Sequence, residues 1–157
     1  MGIEALCIER SVKVGDARWE SRLVEAYEHI EAIPLTDHGL QYLPANYATA
    51  HAAFETALIS ACDNPWLLKL RSSLSAQTQR YKQICLPAAT ITPNPTQIAK
   101  SVLEAAVARD VTQTIALVTK SFRINASRFV KALEMSEGAR FLDEVPDASG
   151  MPAVNFL

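Results

Sequence analysis

Apolar residues recur along most of this chain at three- and four-residue spacing, the period of an α-helix rather than the alternation of a strand. Between Gly2 and Val14, the positions Ile3, Leu6, Cys7, Ile8 and Val12 follow that period, and Gly15 ends it. Asp16 is a suitable N-cap for a second helix, in which Trp19, Leu23, Tyr27 and Ile30 line one face until Pro34 terminates it. From Leu35 to Pro44 the chain mixes Thr36, Asp37 and Gly39 without periodicity, which predicts an irregular surface connection.

A third helix is predicted over about Tyr47 to Ala61, with Ala50, Phe54, Ala57, Leu58 and Ala61 inward. Asp63, Asn64 and Pro65 break it. Pro65 suits the first turn of the next helix, where a missing N–H costs nothing. That helix is expected from Trp66 to about Ile84, with Leu67, Leu70, Leu74 and Tyr81 as its apolar positions, before Pro87 and the ITPNP segment interrupt it. Asn94 and Pro95 form a cap-plus-first-turn signal for a fifth helix bearing Ile98, Val102, Leu103 and Ala106. After a turn at Arg109 and Asp110, a last helix carries Val111, Ile115, Val118, Phe122, Phe129, Val130 and Leu133, with Gly138 near its end. The pattern predicts an all-α fold, an antiparallel bundle of about six helices over residues 1–136. Residues 137–157, with Pro146, Gly150 and Pro152 and no helical stripe, are expected to form a tail on the surface or reaching a neighbour.

Composition supports one helical domain: of 157 residues, 49% are hydrophobic, 20% charged and only five glycine. A net charge of −2 argues against nucleic-acid binding through the overall field, which requires a basic face. Cys7, Cys62 and Cys85 are odd in number and lack CxxC spacing, so reduced core thiols are expected rather than a disulfide framework or a zinc site. There is no basic-then-apolar leader and no apolar run near the ~18 residues that span a bilayer, so a cytoplasmic protein without membrane contact is expected. With His29, His38 and His51 the only histidines, and no nucleophile elbow or phosphate-binding loop, no catalytic constellation assembles. The chain does not read as an enzyme.

Four segments carry a family resemblance: IEALCIERSVKVGDARWESRLVEA at 3–26, AHAAFETALISACDNPWLLKL at 50–70, SAQTQRYKQ at 75–83 and VLEAAVARDVTQTIALVTKSF at 102–122. In order and spacing they resemble the effector-binding (FCD) domain of the FadR subfamily of GntR-type bacterial transcription regulators, over nearly the whole chain to about Leu133. The resemblance implies a helical domain that holds a small-molecule effector, forms a homodimer and adjusts the operator affinity of an N-terminal winged helix-turn-helix. No such reader precedes the first helix here. The expectation is therefore an excised domain, or a regulator lacking its reader, that meets DNA only through the missing part.

Many relatives hold a divalent metal with an Asp and a His one turn apart on the third helix and two further His on the last two helices. Carried over, these positions fall on His51, Glu55, Ala99 and Ser121. Alanine cannot ligate and serine is a poor transition-metal ligand. No cofactor is expected, with a divalent metal at His51 and Glu55 as the residual possibility. The resemblance turns His51 and Glu55 toward a central cavity, with Phe54 and Leu58 as its wall. Their plain alternative is an intrahelical hydrogen-bonded pair.

Arg80 is the candidate for holding an effector carboxylate through two parallel hydrogen bonds, its alternative being a surface arginine. Glu4 matches an acidic position of the family's first helix, and either faces the same cavity or pairs with a neighbour. Ser121 and Asn125, one turn apart, offer neutral hydrogen bonds, and Gln77 and Tyr81 are weaker candidates. The function expected is a ligand-sensing and dimerisation domain for a small organic acid-like effector. The alternative is a structural dimerisation module with no ligand.

Overall fold

A computed structural model describes residues 2–34, 45–85 and 95–135, with side chains at 2–34, 46–76 and 95–127. Among the described residues all regular structure is helical: α1 (Gly2–Val14), α2 (Ala17–Glu31), α3 (Ala45–Leu58), α4 (Pro65–Cys85), α5 (Pro95–Val107) and α6 (Val111–Met135). The predicted connection at 35–44, the Asn94 cap and the tail lie outside the described residues.

Local chemistry sets the boundaries. The Gly15 N–H bonds the Ser11 carbonyl at 2.8 Å to close α1. A Cβ at Gly15 would collide with the Trp19 ring and lie 2.7 Å from the Ser11 oxygen, so this turn needs glycine. Asp16 then caps α2, its Oδ1 accepting the Trp19 N–H at 2.9 Å. Between α5 and α6, Arg109 adopts a left-handed φ of 61°. Asp110 caps α6 by accepting the Gln113 N–H at 2.8 Å.

Trp19 is the centre of the core. Its ring is fully buried with Leu23, Tyr27 and Ile30 of α2, the face the spacing predicted, and joins Ile8, Val12, Phe54, Leu58, Val102 and Ala106 in one cluster. The indole Nε1–H donates to the carbonyls of Ala57 at 3.1 Å and Leu58 at 3.2 Å. Those carbonyls belong to the last turn of α3, where the indole shares the Ala57 oxygen with the N–H and hydroxyl of Ser60 and also reaches the Leu58 oxygen. Here lies one departure from the predicted elements: α3 stops at Leu58 rather than Ala61. Beyond it the Ser60 and Cys62 N–H groups bond the carbonyls three residues back, at 3.1 and 3.0 Å, tightening the chain into turns.

Arg109, in the turn between α5 and α6, reaches two helices of this core. Its Nη1 donates to the Val12 carbonyl at 2.9 Å at the end of α1, its Nη2 pairs with Glu20 of α2, and its guanidinium carbon sits 4.9 Å from the Trp19 ring centroid.

The larger departure concerns α4. Leu70 and Leu74, expected inward, are 49% and 46% exposed, and Trp66 is 76% exposed. Leu67, Leu68 and Arg71 are the partly buried side of this helix. In α5 the buried residues are Ala99, Val102, Ala105 and Ala106, while Ile98 and Leu103 are only partly covered. Small side chains there fill the core positions that the larger ones were expected to hold.

Candidate functional site

Three residues of α1 spaced one turn apart, Glu4, Cys7 and Arg10, face the segment that runs from the end of α3 into α4. At the outer rung Arg10 pairs with Asp63, half-exposed on both sides. At the inner rung Glu4 and Arg71 are only 15% and 14% exposed. Arg71 Nε donates to Glu4 Oε2 at 3.0 Å and Nη2 to Oε1 at 3.4 Å, the two-point geometry suited to a guanidinium and a carboxylate.

The same guanidinium reaches a second carboxylate, with Nη2 3.9 Å from Glu55 Oε2 on α3. The other oxygen of Glu55 lies 3.5 Å from His51 Nδ1, one turn earlier on the helix. His51 stacks on Tyr47, with ring centroids 6.1 Å apart and planes 29° from parallel. Helices α1, α3 and α4 thus deliver Glu4, Arg71, Glu55 and His51 to one partly buried polar cluster. Two carboxylates share one guanidinium there, so both compete for the same donors.

Tyr47 adds a polar atom. Its hydroxyl is buried without a completed hydrogen bond among the described residues, though Thr96 of α5 is near. Burial pushes its phenol pKa up, and Thr96 offsets part of that.

Of the candidates read from the sequence, Glu4, Glu55 and His51 are brought together. Phe54 and Leu58 are buried in the core cluster. Ser121 and Asn125 are half-buried on α6. The side chains of Arg80, Gln77 and Tyr81 lie outside the described residues. The arginine that meets the carboxylates is Arg71, which the periodicity missed. Of the expected apolar positions, Leu67 is partly covered and Leu70 and Leu74 are exposed, so the covered side of α4 runs through Leu67, Leu68 and Arg71.

The FCD domain family model matches residues 1–123 of the chain. The chain belongs to the FCD domain family. It is also similar to an uncharacterized HTH-type transcriptional regulator, BphR, of Paraburkholderia xenovorans (strain LB400), with 32% identity over 85 residues. That match covers 54% of this chain and 35% of the relative, so the chain spans about a third of the relative's length. No solved structure matches significantly.

Of the positions that the resemblance expected to ligate a metal, His51 and Glu55 lie together on one helix and Ala99 is a buried alanine on α5. Among the described residues no group of three or more His, Cys, Asp or Glu is placed to hold a metal ion. No helix among them is long and apolar enough to cross a membrane.

Proposed function

We propose that this FCD domain is the effector-sensing and dimerisation unit of a FadR-subfamily, GntR-type transcription regulator, and that its effector is a small organic acid. It acts in the cytoplasm as a homodimer and reaches DNA through a winged helix-turn-helix outside this chain. Family membership and the regulator relative support a regulatory rather than an enzymatic role. The observation that carries the ligand reading is the guanidinium of Arg71, shielded from solvent and divided between Glu4 and Glu55.

A ligand carboxylate that takes the two parallel donors of Arg71 displaces Glu4. Because Glu4 is on α1 and Arg71 on α4, the exchange loosens one helix from another, and binding selects among helix arrangements. The dimer passes that bias to the DNA-binding domains, so effector affinity becomes operator affinity. His51 and the unsatisfied Tyr47 hydroxyl offer further hydrogen bonds to the polar part of the same ligand.

Thermal-shift screening of the full chain against a panel of organic acids tests this. A ligand at a hundred times its Kd stabilises the folded state by about 2.7 kcal/mol and raises the midpoint. The response should vanish in Arg71→Lys, which keeps the charge and loses the fork. A flat response of the unsubstituted chain to a broad acid panel would overturn the reading in favour of a structural dimerisation module, in which the Glu4 and Arg71 pair is only a clasp between helices.

A further inference from the structure

Between the two charged rungs on α1, Cys7 faces Cys62. Both are free and buried in one core cluster although they lie far apart in the sequence, and the pairing of Arg10 with Asp63, the neighbour of Cys62, brings the end of α3 against the Cys7 face of α1. The rungs on either side hold them in register, Glu4 with Arg71 and Arg10 with Asp63. Cys62 Sγ also lies 3.9 Å from the Asn64 carbonyl, which directs it into the junction between α3 and α4. The sequence presents these residues as unrelated core thiols, and the fold makes them neighbours.

We propose that Cys7 and Cys62 are a redox-active pair, closed to a disulfide by peroxide and reopened by dithiols, that locks α1 onto the α3–α4 junction. Cys62 retains slight exposure, whereas Cys7 has none, so peroxide reaches Cys62. Cys62 therefore reacts first. Its thiolate attacks one peroxide oxygen, the S–O bond forms as the O–O bond breaks, and the departing hydroxide takes up a proton as water. Cys7 then attacks the sulfenic sulfur, the S–S bond forms, and the hydroxyl leaves as water with the Cys7 proton. Two thiols and one peroxide become one disulfide and two waters, the two electrons passing from sulfur to peroxide.

Burial first, and then the neighbouring Cys62, push the Cys7 thiol up to about 11. It is protonated at neutral pH and attacks slowly. The pair thus responds to sustained oxidation rather than to a brief pulse, and closes faster at higher pH.

The test uses the full chain carrying Cys85→Ser, which removes the third thiol. After prolonged exposure to hydrogen peroxide, mass spectrometry should find the loss of two hydrogens and a peptide joining Cys7 to Cys62. The midpoint of thermal unfolding should rise by about 10 °C, as expected for closing a loop of this length, and dithiothreitol should reverse it. Cys7→Ala should abolish both the cross-link and the rise. Thiols that stay reduced, Cys62 advancing to sulfinic acid without a cross-link, or a cross-link that leaves the midpoint unchanged would each overturn the proposal. The cross-link is read without any effector, so it stands or falls separately from ligand sensing.

Discussion

Arg71 holds Glu4 by both ends of its guanidinium fork, Nε at 3.0 Å from one carboxylate oxygen and Nη2 at 3.4 Å from the other, in a pocket that leaves little of either side chain exposed. Fewer than two turns of α1 separate Glu4 from Arg10, and the two charged rungs differ in worth because solvent reaches them differently. Arg10 and Asp63, half-exposed, are screened by water.

A double-mutant cycle measures that difference. Glu4→Gln with Arg71→Met should give a coupling energy of about 2 kcal/mol in urea unfolding, and each single change should destabilise more than the double. The cycle at Arg10 and Asp63 should return under ~1 kcal/mol. Equal couplings at the two rungs would show that burial does not strengthen the inner one.

Glu4 is both a structural partner of Arg71 and, in the proposed mechanism, the competitor of the effector. Glu4→Gln should therefore tighten binding of a carboxylate effector on the order of tenfold, since a charged rival for the same donors is removed. Isothermal titration checks the sign. Weaker binding in Glu4→Gln would mean that the ligand brings a positive charge and uses Glu4 directly.

Arg109 combines a left-handed backbone with three side-chain contacts, and substitution separates the two contributions. Alanine loses the contacts and keeps the backbone strain, while glycine loses the same contacts and relieves it. Arg109→Gly should be less destabilising than Arg109→Ala by about 1 kcal/mol in denaturant unfolding. The reverse order would show that the turn relaxes once the arginine is gone.

Acid should weaken the fold in a way traceable to particular carboxyls. The Trp19 N–H holds the Asp16 carboxyl below its ordinary range, Arg10 does the same to Asp63, and Lys13 does so to Glu9. A depressed folded-state pKa contributes stability above the unfolded value and loses it as the pH falls through the folded one, so the decline begins near pH ~4. Asp16→Asn keeps a capping oxygen without the titration and should flatten the stability profile below that pH. Burial raises the phenol pKa of Tyr27 and Tyr47, so their contribution is present below pH ~10 and is lost as the pH rises beyond it. An unchanged acid slope in Asp16→Asn would remove the cap from this account.

Much of the candidate site was legible one residue at a time. The third helix offers His51 and Glu55 four positions apart, and the helical period alone puts them on one face, where they meet at 3.5 Å. Glu4 was readable through its family position. Arg71 was not, because α4 carries Trp66, Leu67, Leu68, Leu70 and Leu74 around more than half of its circumference. Such a pattern names no single inward direction, and an arginine that falls inside so broad an arc is not singled out by it.

The helices themselves are written locally. Gly15 and Asp16 end α1 and open α2, Pro65 and Pro95 stand at the first positions of α4 and α5, and Trp19, Leu23, Tyr27 and Ile30 repeat along the buried face of α2. Each of these features acts within a few residues, through a cap, a fixed φ or a repeat, so the chain states them without reference to the rest of the molecule. The direction α4 faces, the meeting of Glu4 with Arg71, the pairing of Cys7 with Cys62 and the reach of Arg109 to Val12, Glu20 and Trp19 are of another kind. They join residues far apart in the chain, and they exist only because packing around Trp19 brings α1, α2, α3 and the α5–α6 turn to one core before those side chains find their partners.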